Sequence, residues 1–193
     1  MTRPGDDGLL TWNVAGLLTD DVGAHRDFDV SDARVGLPDD LILARPISGR
    51  VRLTRTNRGI VARADLRAAL AGECSRCLRP LETLLDLRLD EEFLPSLDLL
   101  TGRPLAEGDE PDVLRLSDHH ELDLRSPVRD AISLGEPIAP LDRPDCPGLC
   151  IVCGLPLDEG VHDHPDDAID PRLEALRGFR VDAAPDDDPH PPS

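Results

Sequence analysis

Lysine and tyrosine are absent from this 193-residue chain, and all 21 of its basic residues are arginine. Without lysine there is no Schiff-base chemistry, no Walker-type phosphate lysine and no kinase-type lysine. Large aromatics are limited to Trp12, Phe28, Phe93 and Phe179, so a core drawn from the 39% of hydrophobic residues must be aliphatic. No apolar run approaches the roughly 18 residues that cross a membrane. The N-terminus, with Asp6 and Asp7 and no apolar stretch, does not read as a secretory signal. These absences predict a cytoplasmic protein with no membrane partner. A formal charge of −18 opposes contact with nucleic acid unless a basic patch is segregated from the rest.

What is present predicts an α+β fold: a small antiparallel β-sheet covered by a helix, then a cysteine-rich, zinc-knuckle-like loop and a short final helix. One domain is expected over 9–181, between a disordered segment at 1–8 and an acidic, proline-rich tail at 182–193. The sheet is placed at about 40–94. Ile47, Val51 and Leu53 alternate with Ser48, Arg50, Arg52 and Thr54; Ile60, Ala62, Ala64 and Leu66 alternate with Val61, Arg63, Asp65 and Arg67. Thr56-Asn57-Arg58-Gly59 supplies the turn between them, and Leu85, Leu87, Leu89 and Phe93 give a third inward face. A loop follows at about 95–121. A helix at about 123–135 can be capped by Asp123, with Leu124, Val128, Ala131 and Ile132 on one face. The cysteine loop spans about 137–160, and the final helix, with Pro171 near its start, about 170–178.

All five cysteines lie in two clusters, Cys74-x-x-Cys77 and Cys146 to Cys153, the second ending in Cys150-x-x-Cys153-Gly154. A C-x-x-C turn spaces two thiolates as a tetrahedral metal requires, and two such turns can close a structural zinc site. Such a site would tie the end of the sheet to the C-terminal loop. Cys146 is then left over, and Asp142, His162 and His164 are alternative ligands, so four groups must be chosen from eight. An odd cysteine count opposes a complete disulfide framework. Thiol oxidoreductase chemistry at Cys74 and Cys77 lacks a helix N-terminus to activate it. A catalytic zinc would need a general base, and the spacing of Glu73, Glu159 and Asp163 singles none out. His25, His119, His120 and His190 read as solvated surface residues. No catalytic residue and no small-molecule substrate are expected.

From Arg45 to Arg79 nine arginines face only Asp65 and Glu73, a net +7 that leaves −25 for the remainder. Arg50, Arg52, Arg63 and Arg67, with Arg76 and Arg79 near the metal, are therefore candidates for binding RNA or an acidic partner. The competing reading is pairing across the sheet with Asp86, Asp90 and Glu92. Aromatic platforms for base stacking are missing from the strip.

Gly72-Glu73-Cys74-Ser75-Arg76-Cys77-Leu78, the 123–134 helix, Pro137-Ile138-Ala139-Pro140-Leu141, the Cys146 to Gly154 segment and Asp170-Pro171-Arg172 occur in an order and spacing that resembles the YceD family of large ribosomal RNA subunit accumulation proteins, over about 17–176. The resemblance implies a non-enzymatic factor needed for accumulation of 23S rRNA, with that rRNA, a large-subunit ribosomal protein or an assembly intermediate as partner. Related Gram-positive sequences carry a cysteine where this chain has Asp142, which favours a site shared with Cys74 and Cys77 or carboxylate substitution. The alternative function is an acidic adaptor that holds a basic ribosomal protein.

Overall fold

The computed structural model describes residues 10–38, 41–98, 101–105, 113–164, 171–176 and 178–179. The expected disordered ends, and His190, lie outside them. Two compact units divide the chain, Met1–Gly148 and Leu149–Ser193.

In the first unit, period-two alternation generates long strands. β3 (Ile42–Arg55), β4 (Ile60–Glu73) and β5 (Pro80–Leu94) pair antiparallel through the two hairpins, and β2 (His25–Ala33) extends the sheet beyond β3. A two-residue strand, β6 (Leu114–Arg115), joins β5 in parallel, giving the order β2-β3-β4-β5-β6. The sheet is thus larger than the small antiparallel one expected, and mixed. Its added strands escape a period search for physical reasons: β6 is too short to show a period, and β2 is rich in aspartate, which disfavours strands in isolation. A separate ribbon of β1 (Thr11–Asn13) and β7 (Glu121–Asp123) falls partly within the expected 95–121 loop.

One face of the sheet is apolar throughout. Ile47, Val51, Leu53, Ile60, Ala62, Ala64, Leu66, Leu85, Leu87, Leu89 and Phe93 are all buried, as the alternation requires. They share one core with Leu17 and Leu18 of α1 (Ala15–Thr19), Leu122 of β7, and Val128 and Ile132 of α2 (Arg125–Gly135). Gly135 brings the end of α2 against the Leu85 and Leu87 side chains. Pro127 occupies the first turn of α2, where its missing N–H removes no helical bond.

The start of α2 carries an electrostatic clamp. Leu124 is the N-cap residue, while the Asp123 carboxylate accepts the Arg125 backbone N–H at 2.9 Å and the Arg125 guanidinium at 2.7 Å. Partial burial alone pushes the Asp123 carboxyl up, but its bonds to Arg125 outweigh that and hold it below the ordinary carboxylate value. A carboxyl with a lowered folded-state pKa stabilises the fold fully above its unfolded pKa, about 3.9, and loses that contribution as pH falls through the folded value. Asp123→Asn is therefore expected to lower stability at neutral pH and to flatten its acid limb, as thermal unfolding across a pH series would measure. A parallel, undiminished acid limb in the variant would contradict the assignment.

The opposite sheet face is charged and solvent-exposed, and its charges fall into rows across the strands. One row runs Asp27, Arg52, Arg63, Asp90; the next runs Asp29, Arg50, Asp65, Arg88; Arg67 and Asp86 stand opposite each other in a third. Ion pairs form at 2.6 Å for Arg52–Asp27, 2.9 Å for Arg63–Asp90, 3.4 Å for Arg50–Asp29 and 3.6 Å for Arg67–Asp86. Five arginines thus meet five aspartates, and the net charge of the rows is zero. Each such pair is solvent-screened and contributes little to stability. Their larger effect is to cancel the field that a count along 45–79 suggests, because the compensating carboxylates lie on β2 and β5.

Candidate metal centres

The first cysteine pair occupies the β4–β5 hairpin turn. Cys74 follows the end of β4, its N–H donates to the Arg79 carbonyl at 2.8 Å, and the Leu78 N–H returns to the Cys74 carbonyl at 2.9 Å. The turn requires a left-handed residue after the second cysteine, and Leu78 supplies it with φ 58°, where the second C-x-x-C has Gly154 at 72°. The Ser75 N–H donates to the Pro140 carbonyl at 2.8 Å, which brings the 137–148 segment over the turn.

That segment delivers two further donors. Cys74, Cys77, Asp142 and Cys146 place their ligand atoms within 4.8 Å of one another. Cys74 Sγ lies 3.7 Å from Cys146 Sγ and 3.4 Å from Asp142 Oδ1. A tetrahedral zinc with bonds of about 2.3 Å to sulfur and 2.1 Å to oxygen has S···S edges of about 3.8 Å and S···O edges of about 3.6 Å, so the donors fit such an ion. The three cysteines are buried and unbridged.

The electrostatics suit a cation as well. Burial pushes the Cys74 thiol up, but backbone N–H groups of Asp142, Cys77 and Arg76 aimed at its sulfur more than offset this, and its pKa is lowered to about 7. Burial, followed by the neighbouring Asp142 carboxylate, pushes Cys146 up to about 12. Hydrogen bonding from Cys146 holds the Asp142 carboxyl down against burial, with Cys74 assisting. Three thiolates and a carboxylate around a divalent ion would carry two excess negative charges. Arg79 lies 3.7 Å from Asp142, and the Arg76 guanidinium donates to the Cys146 carbonyl at 2.9 Å. These two arginines, candidates for partner binding in the sequence, are placed here as neighbours of the cluster.

The second unit has its own cluster. Cys150, Cys153, His162 and His164 place their ligand atoms within 4.8 Å of one another. The Gly154 N–H donates to the Cys150 carbonyl at 2.8 Å, and the Cys150 N–H to the Leu155 carbonyl at 2.7 Å, which shapes a second tight turn. Backbone N–H groups of Cys153 and Val152 face the Cys150 sulfur and lower its pKa to about 6. The eight candidates named from the sequence are therefore all brought into clusters, as two sets of four. Each C-x-x-C finds its partners inside its own unit, and Cys146, left over in a two-turn scheme, belongs with the first. The order of the chain held a signal for this: Cys150-x2-Cys153-x8-His162-x-His164 is a compact donor run whose loops are cheap to close.

The remaining strip candidates Arg50, Arg52, Arg63 and Arg67 lie in the charge rows of the sheet face, away from the cysteine turn in register. Of the turn-like histidines, His119 accepts a hydrogen bond from Asn13 through its backbone carbonyl, and His120 adopts φ 59°.

Comparison with known proteins places these features in a family. The profile described as large ribosomal RNA subunit accumulation protein YceD matches residues 62–180, a span that contains both clusters. An uncharacterized protein of Mycobacterium tuberculosis (strain H37Rv) is 37% identical over 127 residues, 65% of this chain and 58% of its own. An uncharacterized Mycobacterium bovis protein matches with the same identity and coverage. An uncharacterized Mycobacterium leprae protein is 31% identical over 146 residues, 72% of this chain and 62% of its own. The match to the first of these relatives thus spans under three-fifths of its length, 58%. No solved structure matches the chain.

Proposed function

Because the chain belongs to the YceD family of large ribosomal RNA subunit accumulation proteins, we propose that it is a non-enzymatic factor that supports 23S rRNA accumulation during large-subunit biogenesis. The family match over residues 62–180 carries this reading. In it, the Cys74, Cys77, Asp142 and Cys146 group holds a structural zinc. That ion would supply four bonds fastening the β4–β5 turn to the 137–148 segment, and the residues do the rest: Arg76 and Arg79 offset the charge, and the backbone N–H groups orient the sulfurs. With all four positions filled by protein groups, such a site has no open position for substrate, which agrees with a structural role.

The mode of contact follows from charge. The arginine rows on the sheet are balanced by aspartates, and the chain as a whole is strongly acidic, so direct phosphate binding by this face is weak. No helix among the described residues is long and apolar enough to cross a membrane. A basic ribosomal protein suits the excess negative charge better than RNA does, and the protein acts in this reading as an adaptor within assembly.

Depletion of the protein in its host is expected to lower the ratio of 23S to 16S rRNA and to reduce free large subunits in sucrose-gradient profiles. An unchanged ratio with normal profiles would overturn the proposal. Pull-down of the full chain after nuclease treatment separates the two contacts: recovery of a basic ribosomal protein supports the adaptor, whereas a partner lost with the RNA supports direct rRNA binding.

A further inference from the structure

The second unit poses a stability problem. Among its described residues only Cys150 is buried. Ile151 and Val161 are more than nine-tenths exposed, and Val152, Leu155 and Leu157 are also exposed. The described stretch 149–164, with so little apolar burial of its own, cannot offset its conformational entropy without a covalent or metal cross-link. Yet its cysteines are unbridged, and its backbone follows a defined path with a left-handed Gly154 and a bridge between Leu149 and Pro156.

Its histidines identify the missing cross-link. The His162 Nε2 lies 3.0 Å from the Pro156 carbonyl oxygen, which can only accept, so Nε2 carries the proton. In the neutral ring Nδ1 is then the bare nitrogen, and it lies 3.5 Å from Cys153 Sγ. A tetrahedral zinc with sulfur at about 2.3 Å and nitrogen at about 2.1 Å has an S···N edge of about 3.6 Å. Fixing the free nitrogen through a carbonyl bond on the other is the usual arrangement of a metal-binding imidazole. Independently, the His164 Nε2 is buried without any hydrogen-bond partner, a costly state that a metal bond would relieve.

We propose that Cys150, Cys153, His162 and His164 form a second metal centre, separate from the one at the hairpin turn, so that the chain takes two zinc ions rather than one. Two thiolates and two neutral imidazoles around a divalent ion sum to zero charge. No arginine pair is needed there, in contrast to the anionic first centre. The donor set of two soft sulfurs and two imidazole nitrogens in a closed group of four matches zinc and disfavours magnesium or calcium. This extends the reading of the first centre without depending on it, because the donors of the two groups are disjoint.

The test is metal content of the full chain, produced without a histidine tag, by elemental analysis after gel filtration, together with titration by cobalt(II) followed through its tetrahedral absorption bands. Two equivalents are expected, falling to one in His164→Gln and in Cys153→Ser, with the thermal transition of the sheet unit unmoved; Cys146→Ser should remove the other. Failure of either variant to fold would show as loss of that transition, and the second variant then decides. One equivalent that persists in both second-unit variants overturns the proposal, as do two equivalents that neither variant lowers. A Cys150–Cys153 disulfide in protein kept reduced during purification, with one metal bound, also overturns it and favours redox chemistry. One equivalent that both second-unit variants abolish would support this centre and count against the zinc at the hairpin turn.

Discussion

A strong chelator is expected to lower the thermal midpoint of the sheet unit by about 8–16 °C, and Cys77→Ser to reproduce that loss and abolish the response. The figure follows from linkage: a metal present at about 1,000 times its dissociation constant stabilises the native state by about 4 kcal/mol, and about 1 kcal/mol moves the midpoint of a chain this size by roughly 2–4 °C. The loss is large because the three cysteines of the first centre are buried, with sulfurs held close together around a carboxylate. Without a cation, ionised thiolates repel one another there, and protonated ones, although they can donate to Asp142, leave the backbone N–H groups around Cys74 facing a neutral sulfur. Cys77→Ser separates this reading from catalysis. A thiol enzyme would keep its stability and lose its chemistry; a staple loses stability. A midpoint indifferent to chelator, with a fully folded Cys77→Ser variant, would refute the structural zinc.

Gly49→Ala is expected to be strongly destabilising, costing roughly 2–6 kcal/mol from strain and overpacking together. Gly49 lies on β3 beside the irregularities in its pairing with β2 and β4, and its φ is 152°. A Cβ there would overlap the Asp65 carbonyl oxygen and stand 2.8 Å from Leu66 Cα. Both obstacles are backbone of the central strand β4, so no rotamer change relieves them. At Gly72, near the end of β4, an added Cβ would meet nothing within 4 Å, and this position provides the control. Denaturant unfolding of Gly49→Ala and Gly72→Ala should differ by most of the stated cost, and equal midpoints would show that β3 can shift.

How much of this is readable before a structure follows the physics of each element. The inward faces of β3, β4 and β5 are legible residue by residue, because long half-buried strands repeat their apolar side chain every second position. α2 is legible for the same kind of reason, from the spacing of Leu124, Val128 and Ile132, but its N-cap is Leu124 and not the expected Asp123, which ends β7. β2 has its own alternation in Phe28 and Val30, yet Asp27, Asp29 and Asp32 make it look like a loop until Arg50 and Arg52 stand opposite in register. The charge rows are legible only in part: pairing of the arginines with Asp86 and Asp90 of β5 can be read from the alternation, whereas Asp27 and Asp29 enter only once β2 stands beside β3. The candidate metal ligands are all nameable from residue type. Their division into two groups is legible only in part: the compact run from Cys150 to His164 sets one group apart, whereas only the path of the backbone places Asp142 and Cys146 over the hairpin turn.

The strand order bears on how the molecule is made. From β2 to β5 every neighbour in the sheet is also the next strand in the chain. Each strand can therefore dock onto the previous one as it leaves the ribosome, with little loop entropy to overcome. Cys74 and Cys77 are presented together as soon as the β4–β5 hairpin closes, well before Cys146, 72 residues beyond Cys74, is synthesised. Completion of the first centre's donor set is thus a late event in folding, and a metal held there would act as a latch that closes on a meander already built, its timing set by translation.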